Sequence, residues 1–388
     1  MKHTIPAVVL GSCTHALAIC RSLGKKGVPV FLVQESKKQP VAKTRYAKSL
    51  FVSSINSEAL IGNLIDIRHK SKQKPILFLT NDNMVSIIAK HYNEVSKHYH
   101  LNIPDLNEVI KLSEKSNLEL YSQKVKFNYP KTFYVKRASD IETIINKIKL
   151  PVIVKPSKPL FEFKGLKIRS MERLVKEIKR YEDGIHTFLV QEWIEGTDRD
   201  LYVINFYFNK ESKPIAHFTG RKINSAPKLT GATSSMEGIS DKELLKLGLR
   251  FFSKVDGIKG FASLELKKTR ENEYYIIEPT IGRTDFYALA CIINNVDFPY
   301  IQYRDLVGEP LSYPIQKNKR IWVDFQREME NWIEYLSSGF SSEMACNIVV
   351  KRPVFALWAI DDPLPSIFNI FKLMKRINNK IKKIVGFT

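Results

Sequence analysis

The chain of 388 residues has only four cysteines, Cys13, Cys20, Cys291 and Cys346, and no two of them form a CxxC pair. That argues against a disulfide scaffold or a cysteine-rich zinc site, and for a reduced, cytosolic chain whose thiols sit in the core. No window approaches the ~18 consecutive apolar residues of a spanning helix. The N-terminal MKHTIPAVVLGSC runs from a short apolar patch straight into a Gly-Ser turn. It reads as a first strand rather than a signal peptide, whose apolar region would be longer and followed by a cleavage site. The turn sequence GSCTHA lacks the second and third glycines of the dinucleotide fingerprint, so a nicotinamide cofactor is poorly supported. Long lysine and arginine blocks are absent too, despite a net charge of +21. Such a field attracts nucleic acid, an anionic membrane, or phosphorylated and acidic substrates. With no finger spacing, RNP sequence or basic-zipper heptad, nucleic acid has the weakest support, and a lysine-biased composition accounts for part of the excess.

What is present is ordinary globular composition, 44% hydrophobic and 26% charged, over a length that suits two or three domains. AVVL (7–10), VPVFLVQ (28–34), PILFLT (75–80) and LNIP (101–104) alternate with helical stretches near 15–26 and 58–72 and after Asn81-Asp82-Asn83. Continuous apolar strands separated by helices predict a parallel sheet covered on both faces. Helices follow over 105–126 and 138–149, then PVIVKP (151–156) and a helix over 171–181. From Thr187 the pattern turns long and antiparallel: TFLVQEWIEG, DLYVINFYFN and KPIAHFTGRKI, a helix over 241–254, then GFASLELKK and EYYIIEP joined by TREN as a hairpin. VFALWAI is a last strand candidate. The expected organisation is an N-terminal α/β domain (1–110), a small lid subdomain with linker helices (111–186), a catalytic subdomain (187–315) and a C-terminal extension (316–388).

Chemistry gathers at a few positions. Glu265 lies on one arm of the hairpin and Glu278 ends the other, so a short turn would aim both carboxylates into one space. Two converging carboxylates suit Mg²⁺, with Mn²⁺ as an alternative, when substrate phosphates complete the shell; spacing alone equally allows two solvated charges. Lys155 ends a buried strand and needs an anionic partner or a path to solvent. In Val190–Asp198 a strand ends in polar groups, a glycine turn and an acid, which can offer backbone to an adenine edge and a carboxylate to a ribose, or can be a plain strand–turn–strand. His91, His98 and His100 read as a solvated helix end without acidic partners.

Taken in order, the lysine strand, the helix, Q-E-W-I-E-G-x-D, the Arg-Lys strand, the glutamate hairpin and a following arginine resemble the ATP-grasp superfamily over residues 5–315. The resemblance is to its carboxylate–amine ligase branch, which includes D-aspartate ligase-like proteins. It implies an N-terminal parallel-sheet domain followed by a two-part α+β fold that clamps ATP. It also implies a reaction in which ATP phosphorylates a carboxylate and an amine attacks the acyl phosphate. The partners would be a small or sugar-linked carboxylate and an amine such as an amino acid, with a second copy of the chain as a further candidate. Residue by residue, Lys115, Lys155 and Lys167 correspond to nucleotide-phosphate contacts. Gln191, Glu192 and Ile194 correspond to the adenine hinge, and Asp198, with Asp200 as substitute, to the ribose acid. Arg221, Lys222 and Arg283 correspond to the cations around the transferring phosphoryl group, and Glu265, Glu278 and Thr280 to the metal site. Thr280 stands where the family has Asn, Arg283 follows one residue late, and the loop between Lys155 and Lys167 keeps only Gly165. A nucleotide-binding module without turnover, an ATP-grasp kinase or synthetase with another nucleophile, and a nucleic-acid-binding protein are the alternatives.

The tail from Ser366 to Thr388 carries six basic and no acidic residues. Ile367, Ile370, Phe371, Met374, Ile377, Ile381 and Ile384 fall at helical spacing, with Ser366 placed as cap. The stripe packs either on the protein's own core or on an anionic membrane surface at the inner face.

Overall fold

The computed structural model describes residues 4–113, 115–156, 165–183, 186–318, 320–329, 353–372 and 374. Four short segments, β1 (Ala7–Leu10), β2 (Val30–Gln34), β3 (Lys48–Phe51) and β4 (Ile76–Phe78), form a parallel sheet in the order β3-β2-β1-β4. Helices α1 (Thr14–Gly24), α2 (Ala59–His69), α3 (Asp82–Lys90) and α4 (Tyr92–His98) make the crossovers and cover. The half-polar β3 gave no strand signal. The expected strand at 101–104 is absent; the chain there makes only an isolated bridge, Ile76 with His100. At the β1–α1 turn Gly11 has φ +127°, and a Cβ there would lie 2.2 Å from Thr80 Oγ1, so this turn tolerates no side chain.

Helices α5 (Leu106–Ser113) and α6 (Lys115–Lys124) lead into the second sheet, β5 (Thr132–Val135), β6 (Val152–Pro156), β7 (Leu166–Ile168) and β8 (Phe188–Glu192), antiparallel in the order β5-β8-β6-β7. Its inner face packs on α7 (Ile141–Ile144) and α8 (Met171–Tyr181) through Val135, Val152, Val154, Phe188, Leu174 and Ile178. The helix expected over 138–149 is thus a single turn. Helix α8 starts where Ser170 accepts from the Arg173 N–H, an ordinary N-cap.

The third sheet has seven strands in the order β13-β12-β9-β10-β11-β14-β15. They are β9 (Leu201–Phe208), β10 (Pro214–Ala226), β11 (Ala232–Gly238), β12 (Gly260–Lys268), β13 (Tyr274–Ile281), β14 (Ile321–Val323) and β15 (Val354–Phe355). All pairings are antiparallel except β14 with β15. Helix α9 (Lys242–Phe252) lies on one face, where Phe251 and Phe252 join Phe206, Tyr121 and Phe127 in a core continuous with Val85 and Ile88 of α3. Helices α10 (Ala288–Ile293) and α11 (Phe298–Leu306) cover the other face with Tyr207, Phe218 and Trp322. Cys20 and Cys291 are buried in these cores as expected. Cys346 lies outside the described residues.

Only Val354–Phe355 of VFALWAI is a strand. Residues 364–372 are helical, so the tail helix begins before Ser366. Ser366 does not cap it: its hydroxyl is buried without a hydrogen-bond partner. The rest of the tail, 375–388, including Ile377, Ile381 and Ile384, lies outside the described residues.

Candidate nucleotide and catalytic site

A cleft of about 390 Å³ opens between the second and third sheets. Strand alternation decides which side chains reach it. On β6 and β8 the residues Ile153, Lys155, Leu189 and Gln191 line one wall, because Ile153 pairs with Gln191 and Lys155 with Leu189. Lys155 Nζ donates to Gln191 Oε1 at 3.2 Å, and Gln191 Nε2 donates to Thr132 Oγ1 at 2.8 Å. A buried amide is thereby fixed in one orientation with the lysine ammonium beside it. Glu192, Trp193 and Ile194 continue the wall as β8 leaves the sheet. Lys167 sits opposite Ile153 in register, with its Nζ 3.3 Å from Glu195 Oε1 and 4.1 Å from the Trp193 ring centroid. The Lys115 side chain and the loop 157–164 lie outside the described residues.

The opposite wall carries Lys222 of β10, Glu265 and Lys267 of β12, and Glu278 of β13. Glu265 and Glu278 are direct cross-strand partners, so the hairpin brings the two carboxylates to one face. Lys222 Nζ donates to Glu265 Oε1 at 3.0 Å. Lys267 donates to the Thr197 carbonyl at 2.5 Å, and burial pulls its amine below the usual lysine range despite nearby Asp200 and Asp198. Among the described residues no group of three or more His, Cys, Asp or Glu side chains could hold a metal. Glu265 and Glu278 offer two carboxylates on one face, a pair that would fit a hard divalent cation drawing its remaining oxygens from phosphates and water.

Five of the residues singled out in the sequence lie elsewhere. Arg221 and Lys222 do not act as a pair: neighbours on a strand face opposite sides, and Arg221 Nη2 binds Glu237 Oε1 at 2.6 Å on the far face. Asp198 is buried under the β10–β11 turn, where it accepts from the Ser225 N–H at 3.1 Å and from the Ser225 hydroxyl. Asp200 accepts from the Thr197 N–H and hydroxyl within its own turn. Neither acid lines the cleft, so neither is placed to meet a ribose here. Arg283 pairs with Asp82 of α3 at 2.6 Å and with Asp285 at 3.3 Å. Burial disfavours its charge, but Asp82 and Asp285 outweigh that and hold it. Thr280, opposite Ser263, shares a face with Glu278 but does not line the cleft.

Two further sequence readings change. His91 has acidic partners, Glu58 at 2.6 Å and Glu94 at 3.9 Å. Cys13 is partly exposed rather than a core thiol, with its Sγ 3.5 Å from His15 Nε2. It lines a second cavity of about 590 Å³, which shares Ala232 and Phe286 with the cleft.

Sequence reasoning missed Lys267 and the β10–β11 turn, whose Leu229, Thr230, Gly231 and Ala232 form a cleft edge. Pro227 and Gly231 between two polar–apolar alternations were the available signal. A Cβ on Gly231 would sit 2.0 Å from the Ala226 carbonyl carbon, so the turn requires glycine. For Lys267 the signal was its place two residues after Glu265 on the same strand face.

No family model matches the sequence, and no curated protein is similar to it. Solved structures are similar in fold. An N5-carboxyaminoimidazole ribonucleotide synthetase, solved as its ADP complex, superposes with a TM-score of 0.66 at 14% identity over 87% of this chain and 86% of that one. The L-amino acid ligase from Bacillus licheniformis gives 0.63 at 13% identity over 83% and 80%. The biotin carboxylase domain of Hydrogenobacter thermophilus 2-oxoglutarate carboxylase, solved as a dimer with MgADP, ADP and bicarbonate, gives 0.62 at 15% over 82% and 74%. With a parallel N-terminal sheet, a small antiparallel sheet and a large sheet closing on one cleft, the chain has the ATP-grasp fold.

Proposed function

We propose that the protein is an ATP-dependent ligase that joins a carboxylate to an amine through an acyl phosphate. The observation that carries this reading is the convergence of Lys155, Lys222, Lys267, Glu265 and Glu278 on one cleft beside an amide-bearing hinge. The fold likeness to proteins named as ligases and as nucleotide complexes supports it. Phosphoryl transfer gives a protein little covalent work; positioning and charge neutralisation do most of it.

In this reading Gln191, Glu192 and Ile194 border the adenine, while Lys155, with Lys167 at the rim, meets the phosphates. Lys222, already on Glu265, neutralises charge as a carboxylate oxygen of the substrate attacks the γ-phosphorus and ADP departs. The amine then attacks the acyl carbon, phosphate leaves, and the amine proton is lost to solvent. Glu265 and Glu278 would hold the Mg²⁺, which when bound supplies positive charge to the phosphate oxygens. Arg283, held by Asp82 and Asp285, acts through its charge on the nearby Glu278 rather than on the substrate.

The test is ADP release across panels of carboxylates and amines, with the amide product identified by mass. Release that needs both substrates supports the proposal. ATP binding with no carboxylate-dependent turnover would instead favour a nucleotide-binding module.

A second element of the proposal is peripheral contact with an anionic membrane, which would place a lipid-linked or polysaccharide envelope precursor within reach. It is favoured by the apolar residues that the tail helix turns outward, Ile367, Phe368, Ile370, Phe371 and Met374. Among the described residues no helix is long and apolar enough to cross a membrane.

A further inference from the structure

The second cavity has a chemistry of its own. Its floor is the β1–α1 turn, Ser12 to His15; its roof is Asn369 and Lys372 of the tail helix; Asp324 and Arg327 close one side. Cys13 is the N-cap of the 11-residue helix α1 and makes no side-chain capping bond. Its sulfur therefore sits at the positive end of the helix, with His15 Nε2 at 3.5 Å. His15 is only 6% exposed. Its Nε2 lies 2.6 Å from the Thr80 carbonyl, which can only accept, so that nitrogen carries a proton. Its Nδ1 is buried without a hydrogen-bond partner. The Nε2 proton is thus shared unequally, closely with the Thr80 carbonyl and at longer range with the Cys13 sulfur, and the other ring nitrogen is left unsatisfied.

We infer that Cys13 is a covalent modification site: its thiolate, paired with His15, attacks small-molecule disulfides that enter the second cavity. The thiolate sulfur attacks one sulfur of the disulfide. A new S–S bond forms to Cys13, the old one breaks, and the other half leaves as a thiolate. Cys13 sulfur is oxidised and the departing sulfur reduced, so the reagent is the oxidant and a free thiol reverses the step.

The charged surroundings agree. Burial by itself would raise the Cys13 thiol, but His15 outweighs it and brings the group down to about 7. Burial would likewise lower His15, and the Cys13 charge outweighs that. Arg283 acts on His15 in the same direction as burial. Arg327 is paired with Asp324 at 3.4 Å, which leaves Lys372 as the other lysine or arginine lining the cavity. Cys20 and Cys291, buried in apolar cores, are pushed up instead. A small group attached to Cys13 would sit in the second cavity, away from Lys155, Gln191, Glu265 and Glu278, none of which lines it, although the two cavities share Ala232 and Phe286.

The experiment treats the full chain with a bis(nitrobenzoate) disulfide, follows the coloured thiolate, and maps the adduct by peptide mass. One thiol should react at pH 7 at least about tenfold faster than an ordinary buried cysteine, and the adduct should be on Cys13. Cys13→Ser should lose that phase while keeping its fold. His15→Asn should slow it and move its pH midpoint from near 7 toward the ordinary thiol range. A free thiol should remove the adduct. A fast adduct on another cysteine, an unchanged fast phase in Cys13→Ser, or a Cys13 no faster than Cys20 and Cys291 would overturn the inference. None of these readouts depends on ligase turnover, so they stand apart from the test of the proposed function.

Discussion

Lys155 on β6, and Arg221 and Lys222 side by side on β10, are three cations with different fates, set by the side on which each leaves its strand. Lys155 and Lys222 face the cleft, while Arg221 turns to Glu237 on the far face. Lys155→Met keeps the apolar stem and removes the charge; a lost charge-assisted bond of about 1.5–3 kcal/mol weakens ATP binding roughly ten- to hundredfold, measurable by calorimetry. Undiminished affinity in a folded variant would remove Lys155 from the phosphate site. Lys222→Gln should lower kcat while Arg221→Gln leaves it within about twofold; equal losses would mean that both reach the phosphoryl group. Glu278→Gln should retain ATP binding and eliminate ADP release, and near-normal turnover would exclude its metal role. The glutamate pair was legible because a short hairpin turn fixes register and register fixes the face. The Arg221-Lys222 assignment erred against the same rule, since adjacent strand residues cannot share a face. Asp198 was not legible: its partner, Ser225, lies on another strand, and only tertiary structure brings them together.

At the scale of elements, the segment after β15 is tied to α1 by a carboxylate pair. Asp362 accepts from Arg21 Nε at 2.9 Å and from Thr44 Oγ1 at 2.7 Å, both buried, and from the Arg45 N–H at 3.0 Å in a partly buried setting. Asp362→Ala would leave Arg21 buried without this carboxylate, a loss of about 3–5 kcal/mol readable in chemical denaturation; a change under about 1 kcal/mol would show that the clamp is not structural. Next to it, Asp361 is held down to about 2 by hydrogen bonds from Tyr46 and Lys25. A carboxyl lowered in the folded state stabilises above its ordinary value of 3.8 and loses that contribution as pH falls toward about 2. Proteolysis of the 353–374 segment should therefore rise through that window, and Asp361→Asn should flatten the rise. The sequence displayed DDPLP as a helix stop. That the same acids would anchor the helix to the first domain depends on residues more than 300 positions away and could not be read locally.

For the molecule as a whole, the tail helix presents an inverted arrangement. Its inward side is Pro365, Ser366, Asn369 and Lys372, while Phe371 is 66% and Met374 61% exposed. Ile360, just before the helix, is 87% exposed. The periodic stripe was visible in the sequence, but periodicity reports that one face is apolar and not which way it points. Turned outward on a chain of net charge +21, that face suits an anionic lipid surface: burial of the apolar side chains supplies affinity, and each lysine or arginine near the surface adds about 1 kcal/mol. Full-length protein should sediment with vesicles containing anionic lipid at low salt and release as salt screens the attraction. Replacing Phe368, Phe371 and Met374 together by serine should abolish sedimentation without lowering thermal stability, because these side chains leave little surface to lose. A destabilised triple variant would mean that the stripe packs on protein after all. Protein that ignores anionic vesicles at low salt, or that binds random duplex DNA instead with a comparable salt dependence, would assign the positive charge to another partner.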